Sequence, residues 1–330
     1  MNKIIFFALV ILTSSAGQAA GNNGTPQGSF VSGAFANEAG ERQYRLYLPK
    51  NYNPGSPNPL PLLVFLHGCG QAPDDFLKGT EMAPVADREG FLVLLPVQDR
   101  AFNPMACWNW YLPEHQGRGA GEPAIIVGMI DSLKTKYKID AQKIYLSGFS
   151  SGAAMASTLA ACYTDVFAAA AIHSGMPYQA ATTLSEAFQS MNSGGTRDPN
   201  QTGELAYRCS GQRMLPMPTM IFQGTSDNTV NPANAQQLLD QFAQFNDLAD
   251  NRLDDDSINT SQAVTSAGQV PSGHNFRVDT ISVRGKPLLV RYSVQAMSHA
   301  WSGGSGFQYM DPAGPEASEL AWSFFKLHRR

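Results

Sequence analysis

Charge is scarce in this 330-residue chain, and none of it is concentrated. Lysine, arginine, aspartate and glutamate make up 15% of the residues, the formal net charge is −4, and the basic residues form no cluster apart from Arg329 and Arg330. Nucleic acids and anionic membrane surfaces are bound through clustered positive charge, so neither is an expected partner. A small substrate that is neutral or mildly polar fits this composition better.

The chain also lacks a long hydrophobic run at its start, where a membrane anchor would lie. Residues 4–12 are apolar, but a helix that spans a bilayer needs about 20 such residues. Lys3 precedes this run, and the small residues Gly17 and Ala19 follow it as at a signal-peptide cleavage site. We therefore predict that residues 1–19 are a secretory signal peptide. No cysteine lies at the cleavage point, so no lipid anchor is expected.

The remaining residues, 20–330, are predicted to form a single α/β domain that is exported. With 43% hydrophobic residues, a chain of this length can bury one large core. The sequence leaves open whether the protein stays in a periplasm or leaves the cell, and it leaves open the oligomeric state.

Cysteine occurs only four times, and no two cysteines have the Cys-x-x-Cys spacing of many metal and redox sites. An even number of cysteines in an exported chain favours disulfides over metal ligands, so we predict two disulfides, no metal and no cofactor. Three pairings are possible. We prefer Cys69 with Cys107 and Cys162 with Cys209, because pairing sequence neighbours closes loops of a few tens of residues, each worth up to ~4 kcal/mol in the chain-entropy model.

A glycine-rich turn at residues 148–152 indicates the chemistry. Its sequence, Gly148-Phe149-Ser150-Ser151-Gly152, follows an apolar run and precedes an alanine-rich run at 153–161, which predicts a strand, a sharp turn and a helix. This is the pattern of the nucleophile elbow of α/β-hydrolases, in which the glycines leave room for a serine in a strained turn. A chance match of so short a motif is the alternative, and the flanking elements argue against it.

Ser150 is the predicted nucleophile, and two later segments supply its partners. Residues 218–222 form an apolar run that leads through a glycine turn to Asp227, and residues 287–294 form another that leads to a loop with His299. Both runs are predicted strands. The order serine, aspartate, histidine is that of the α/β-hydrolase triad.

Other residues compete for the roles of base and acid. His67 and His173 are alternative bases, but the base of this fold follows the nucleophile, and His173 follows it too closely. The carboxylates of residues 254–256 are alternative acids, but no strand precedes them and their segment is typical of a solvated loop.

The predicted oxyanion hole is formed by two backbone amides. The N–H of Ser151 lies at the start of the helix that follows the nucleophile. A second donor in this fold comes from the loop after a central strand, here residues 60–66, which makes the N–H of Cys69 the candidate. Trp108 follows Cys107 and would be brought near this loop by the preferred disulfide, either as core or as one wall of a cleft. The polar segment 178–217 is either a lid or a surface loop.

Six motifs of the chain resemble a known family. They lie at residues 67–71, 107–110, 118–122, 148–152, 224–230 and 298–304. Together they are similar to those of the polyhydroxybutyrate depolymerase family of secreted esterases, which is related to feruloyl and acetylxylan esterases. The resemblance covers nearly all of the mature chain and implies an α/β-hydrolase fold, with a mostly parallel central sheet and helices on both faces.

For the site, the resemblance implies a triad of Ser150, Asp227 and His299, oxyanion contacts from Cys69 and Ser151, and aromatic contacts to the ester chain from residues such as Trp301. Members that degrade solid polymer usually carry a separate polymer-binding domain after the catalytic domain, where this sequence ends. We therefore expect faster turnover of soluble or amorphous esters than of crystalline polyester. Adsorption would rest on exposed aromatics such as Trp108 or Trp301.

The leading hypothesis is a secreted serine esterase that hydrolyses poly(3-hydroxybutyrate) or its short oligomers through an acyl-enzyme. One alternative is an esterase that removes feruloyl or acetyl groups from plant cell-wall xylan. Another is a binding protein without catalytic activity on a hydrolase scaffold, which the complete triad argues against.

Overall fold

The computed structural model describes residues 27–211 and 214–330, so the predicted signal peptide lies outside the described residues. In this part of the chain ten strands form one sheet, in the order β1-β2-β4-β3-β5-β6-β7-β10-β9-β8. The strands are β1 (Ser29–Asn37), β2 (Gly40–Leu48), β3 (Leu60–Leu66), β4 (Leu92–Pro96), β5 (Ile139–Phe149), β6 (Ala169–His173), β7 (Thr219–Gly224), β8 (Val264–Gln269), β9 (Asn275–Val283) and β10 (Lys286–Val294). Two short strands, β11 (Trp301–Ser302) and β12 (Met310–Asp311), pair separately.

Helices cover both faces of this sheet. They are α1 (Pro73–Gly79), α2 (Met82–Glu89), α3 (Gly121–Lys134), α4 (Ser151–Cys162), α5 (Leu184–Ser193), α6 (Pro199–Ser210), α7 (Ala233–Asn251) and α8 (Ala317–Phe325). One apolar cluster contains buried side chains of α3, α4 and α7, and the other contains buried side chains of α1, α2 and α8. None of the helices described in the structure is long and apolar enough to cross a membrane.

The central strands are parallel, and the edges of the sheet are antiparallel. Strands β4, β3, β5, β6, β7 and β10 run parallel, while β1 and β2 at one edge and β9 and β8 at the other are antiparallel to their neighbours. Every residue of β4, β6 and β7 is buried, as expected of strands that are covered by helices on both sides. This architecture confirms the predicted α/β-hydrolase fold.

Two segments contain structure that the sequence analysis did not identify. Ser29 begins β1, which pairs with β2 along its whole length. The polar segment 178–217 contains α5 and α6, whose N-caps are the side chains of Thr183 and Asp198. Such capping residues, together with Pro199 at the first turn, are a signal that could have identified both helices from the sequence.

Candidate active site

Ser150 lies in the sharp turn between β5 and α4, and its backbone is strained. Its φ of 56° and ψ of −122° lie in a region that non-glycine residues rarely adopt. The turn fits because the positions on either side are glycines. A Cβ on Gly148 would lie 2.4 Å from the carbonyl oxygen of Gly152, and a Cβ on Gly152 would lie 2.3 Å from that of Leu66. The spacing of the motif is therefore a packing requirement of this turn.

The turn presents the Ser150 hydroxyl to side chains from two other loops. Nε2 of His299 is 3.0 Å from Ser150 Oγ, and Nδ1 of His299 is 2.8 Å from Asp227 Oδ2. Asp227 follows β7 and His299 follows β10, and these parallel neighbours of the sheet end at the same edge. In such an arrangement the imidazole can remove the serine proton while the carboxylate orients the ring.

The carboxylate of Asp227 is buried and held by further hydrogen bonds. Oδ1 accepts the backbone N–H groups of Thr229 and Val230 at 2.9 and 2.8 Å, and Oδ2 accepts the side-chain amide of Gln223 at 2.9 Å. Burial acts to raise the pKa of Asp227, but the hydrogen bond and charge interaction with His299 and the two backbone N–H groups lower it below its usual value. The carboxylate is therefore ionised at neutral pH. Sequence reasoning did not identify Gln223.

The two predicted oxyanion donors lie on adjacent loops beside Ser150. The hydroxyl of Ser151 is 3.3 Å from Sγ of Cys69, and both residues line the cavity that contains Ser150. The N–H of Gly68 donates to Oε1 of Gln71 at 2.8 Å, which closes the turn that carries Cys69. Within the described residues neither the Cys69 nor the Ser151 amide donates a hydrogen bond, so both are available to a bound oxyanion.

The four cysteines form the two disulfides that the sequence favoured. Cys69 is bonded to Cys107, which joins the loop after β3 to the loop after β4. Cys162 is bonded to Cys209, which joins the last residue of α4 to α6. The first bond therefore ties the candidate oxyanion loop to a second loop, whereas the second bond holds two helices together away from Ser150.

His67 is a buried residue of the oxyanion loop. Its Nδ1 is 2.8 Å from the Gly68 carbonyl oxygen, and its Nε2 accepts the N–H of Gln98 at 3.1 Å. Burial lowers the pKa of His67 to about 4. Its carbonyl oxygen accepts the indole N–H of Trp108 at 2.9 Å. Trp108 lines the cavity beside Ser150 but is fully buried, so the expectation that it is an exposed aromatic is wrong.

His173 lies beneath the site rather than in it. Its Nε2 accepts the N–H of Ser302 at 3.0 Å, and its ring stacks on Trp301 with centroids 4.7 Å apart. Burial, together with the charge interaction with His299, lowers the pKa of His173 to about 3. The contact of His173 with Ser150 is through the backbone, where its carbonyl oxygen accepts the Ser150 N–H. The imidazole that lies next to the Ser150 hydroxyl is that of His299.

Trp301 is buried, and the expectation that it is exposed is wrong. Only 1% of its surface is accessible, and it packs edge-on against Phe65 and Phe76. It belongs to β11, which pairs with β12. A residue with so little accessible surface has almost none to offer to a bound ester.

Two cavities meet at Cys69. The first has a volume of about 100 Å³ and contains Ser150 and Ser151; its wall includes Trp110, Met176 and one face of α5. The second has a volume of about 360 Å³ and is lined by the loop after β3, the start of α1 and residues 307–310. Ser150 and Ser151 line the first cavity. Tyr309 lines the second cavity, and its ring is 6.1 Å from that of His299.

Helix α5 contributes four side chains to the wall of the first cavity, and sequence reasoning did not identify them. They are Leu184, Ala187, Phe188 and Met191. Their spacing is that of one face of a helix, and this pattern, following the cap at Thr183, is the signal that could have revealed a helical wall within the polar segment.

Comparison with known proteins gives this fold and site a family context. A family described as "Esterase PHB depolymerase" matches residues 42–265. Poly(3-hydroxyalkanoate) depolymerase C of Paucimonas lemoignei is 33% identical over 266 residues, which cover 80% of this chain and 60% of that protein. Feruloyl esterase B of Thermothelomyces thermophilus is 30% identical, with 61% of this chain and 69% of that protein covered. The match to the depolymerase thus spans less than two thirds of its length.

Solved structures share the fold at low sequence identity. Acetyl xylan esterase from Aspergillus awamori superimposes with a TM-score of 0.67 at 19% identity, covering 86% of this chain and 94% of that one. A feruloyl esterase module from Clostridium thermocellum, in complex with sinapinate, gives a TM-score of 0.54 at 12% identity, covering 92% and 89%. At these identities the likeness concerns the fold alone.

Proposed function

Because the chain belongs to the PHB depolymerase family of esterases and is thus a carboxylic ester hydrolase, we propose that it is an exported serine esterase that cleaves short oligoesters of 3-hydroxybutyrate. The observation that carries this proposal is the hydrogen-bonded chain from Ser150 through His299 to Asp227. The likeness to a protein named poly(3-hydroxyalkanoate) depolymerase C supports the choice of substrate class.

In the proposed reaction, His299 takes the proton of Ser150 as Oγ attacks the ester carbonyl. Asp227 holds the imidazole in the tautomer that accepts this proton and stabilises the imidazolium that forms. The negative charge that develops on the carbonyl oxygen is stabilised by the N–H groups of Cys69 and Ser151. The imidazolium then gives its proton to the departing alcohol oxygen, and water, activated by the same imidazole, releases the acid from Ser150.

The size of the first cavity favours a short acyl group. Its volume is about 100 Å³, whereas a cavity of about 150 Å³ is the size that holds one benzene ring. The methoxy-substituted ring of a feruloyl group is larger than benzene, but the short tail of a 3-hydroxybutyryl group fits. The exposed side chains of Leu184 and Phe188 give the wall an apolar surface that matches the methyl group of this tail.

Export is supported by the two disulfides. Structural disulfides persist in oxidising compartments and are rare in the cytosol, and here both cysteine pairs are bonded. The N-terminal sequence pattern of residues 1–19 points the same way. Either the periplasm or the extracellular medium satisfies this part of the proposal.

A substrate panel tests the proposed function. We expect kcat/KM for a 3-hydroxybutyrate trimer to exceed that for methyl ferulate roughly 100-fold, because the cavity rejects the ring. Acetylated xylan and p-nitrophenyl acetate complete the panel, and Ser150→Ala is the blank. Faster turnover of methyl ferulate or of acetylated xylan would assign the enzyme to plant cell-wall esters instead. Failure of the wild type to react with a fluorophosphonate probe would favour a binding protein without catalytic activity.

A further inference from the structure

We propose that the second cavity, beside Tyr309, binds the alcohol part of the oligoester, and that Asp75 makes it discriminate against a free carboxylate at that end. This inference rests on the proposed function, because it assigns the two sides of the scissile ester to the two cavities. It adds a binding site and a charge preference that the triad alone does not imply.

The triad determines the direction in which the alcohol leaves. When the tetrahedral intermediate collapses, the bond between the carbonyl carbon and the alcohol oxygen breaks, the bond to Ser150 Oγ remains, and the proton on His299 Nε2 passes to the departing oxygen. That oxygen must therefore lie next to His299. The acyl group points away from the imidazole, towards Ser151 and the first cavity.

The aromatic rings of Tyr309 and Phe149 connect the larger cavity to His299. The ring of Tyr309 lies 6.1 Å from the imidazole of His299 and 6.4 Å from the ring of Phe149, which itself packs against that imidazole at 4.8 Å. Tyr309 and Phe307 line this cavity, and each is 42% exposed. An alcohol that departs beside His299 therefore has this cavity next to it.

The volume and the lining of the second cavity fit an oligoester. Its volume of about 360 Å³ is more than twice the roughly 150 Å³ that hold a benzene ring, so it accommodates more than one hydroxybutyrate unit. Phe307, Tyr309 and Met310 offer apolar surface for the methyl groups. Gln71 also lines it; because its Oε1 accepts the Gly68 N–H, its NH₂ group is available to donate to an ester carbonyl.

A carboxylate lies at the rim of the second cavity. Asp74 is paired with Arg45 at 2.7 Å, but the next residue, Asp75, makes no ion pair within the described residues and is exposed at this cavity. A hydroxybutyrate chain ends in a carboxylate on its alcohol side. In the dimer this carboxylate belongs to the unit that enters the second cavity, so it meets the charge of Asp75. In longer oligomers an uncharged ester occupies the same place.

The test compares two dimers that differ in charge at the alcohol end: the 3-hydroxybutyrate dimer as the free acid and as its N-methylamide. For the wild type we expect kcat/KM to be about five-fold higher for the amide, the size of one charge pair at close range in water. Asp75→Asn should raise kcat/KM for the free acid by about the same factor and leave the amide unchanged. The wild-type difference should shrink at 1 M salt, where the Debye length is about 3 Å.

Asp131→Asn is the matched control, since it removes an exposed carboxylate on α3 and should change neither dimer. Phe307→Ala should lower kcat/KM more for the hydroxybutyrate trimer than for p-nitrophenyl acetate, whose leaving group is smaller. Equal loss on both esters, or no response of the free acid to Asp75→Asn, would overturn the inference while leaving the esterase intact. A wild type that cleaves p-nitrophenyl acetate but no hydroxybutyrate ester would instead refute the proposed substrate class.

Discussion

Ser150 has a strained backbone and, in our proposal, carries the covalent chemistry of the site. A non-glycine residue held in such a region of φ and ψ costs on the order of 1–3 kcal/mol, which the surrounding structure must offset. Here the packing of β5 against α4, through the two glycines of the turn, holds it in place. The same turn therefore strains the backbone of Ser150 and positions its hydroxyl.

Replacement of Ser150 or His299 by alanine should remove nearly all esterase activity without unfolding the protein. Residues of a triad act as a unit, so each single variant should lose on the order of 10⁶ in kcat. Turnover of p-nitrophenyl acetate measures the loss, and thermal unfolding checks the fold. Ser150→Ala should also fail to react with a fluorophosphonate probe. Residual activity within ten-fold of the wild type would exclude that residue from the triad.

Asp227→Asn should lower kcat by ~10⁴ by analogy with the same change in a serine protease triad, because the amide stabilises the wrong imidazole tautomer. The control is Asp256→Asn, which removes an exposed carboxylate of the competing acidic segment. If the control abolished turnover and Asp227→Asn retained it, the assignment of the acid would be wrong.

For individual residues, the sequence predicted which members of the triad lie together but not that the aromatic side chain of Trp301 is buried. The chain order and the positions of the strand ends were sufficient to predict that Ser150, Asp227 and His299 lie close together. Parallel strands place their carboxyl ends at one edge of the sheet. The burial of Trp301 depends on Phe65 and Phe76, which are distant in sequence. Local sequence carries no information about such contacts.

Among the structural elements, the loop after β3 carries the Cys69 amide of the candidate oxyanion hole, and the Cys69–Cys107 bond ties it to the loop after β4. The second disulfide allows a matched test of whether this tie matters for catalysis. Replacing Cys69 and Cys107 by serine should lower stability by about 2–4 kcal/mol and should also lower kcat, since the loop with the Cys69 amide loses its covalent tie. Replacing Cys162 and Cys209 by serine should lower stability by a similar amount but leave kcat near that of the wild type. Urea unfolding and turnover below the transition measure the two effects. Equal kcat in both double variants would show that this tie does not matter for catalysis.

A buried carboxylate at the start of α3 supports the same loops. Glu122 is fully buried and accepts hydrogen bonds from Arg42 at 3.0 Å, from the side chain of Gln98 at 2.9 Å and from Asn109 at 2.9 and 2.8 Å. Gln98 in turn donates to the carbonyl oxygen of Cys107 at 2.9 Å. This network connects β2, α3 and the loop that carries the disulfide.

Glu122→Gln should therefore destabilise the protein by about 3–5 kcal/mol, because it leaves the guanidinium of Arg42 buried without a counter-charge. It should also lower kcat by a larger factor than it raises KM. The reason is that the substitution displaces the Cys107 loop and does not fill the substrate cavity. The control is Glu204→Gln, which breaks an exposed pair with Arg208 and should change stability by less than about 1 kcal/mol. A Glu122→Gln variant as stable as this control would refute the structural role.

Most core elements were visible in the sequence, and the missed ones share a physical reason. Continuous apolar runs predicted β3, β7 and β10, because strands in the middle of a sheet covered by helices on both faces are largely apolar. The edge strands β1, β8 and β9 have largely exposed or half-exposed residues, so their sequences resemble loops. Their pairing is decided by the neighbouring strand rather than by their own composition.

For the molecule as a whole, the two buried histidines predict how stability responds to acid. Burial lowers the pKa of His67 to about 4 and that of His173 to about 3, whereas an unfolded histidine titrates near about 6.5. Between these values the unfolded chain binds protons that the folded protein does not. The contribution of these two histidines to the free energy of unfolding is thus fully present above about pH 6.5 and is lost progressively as the pH falls towards 4.

We expect the free energy of unfolding to fall by up to about 1.4 kcal/mol per pH unit for each of these histidines between pH 6 and about 4.5. Urea titrations at several pH values measure the slope. His67→Gln, although less stable at neutral pH, should have a shallower slope of unfolding free energy against pH, because one proton fewer is bound on unfolding. His173→Asn provides an independent second variant. A slope that is the same in the wild type and both variants would contradict this account.

The Cys69–Cys107 bond also determines when the loops of the site become covalently joined. A newly synthesised chain carries thiols, and sulfur–sulfur bonds form and persist only in oxidising compartments. Until oxidation, the loops after β3 and β4 are held together by packing and hydrogen bonds alone. The last covalent step in building the site therefore comes after synthesis and, for an exported chain, after translocation. In our proposal of an exported esterase, the covalent tie of the loop that carries the Cys69 amide is therefore completed only in the compartment to which the protein is exported.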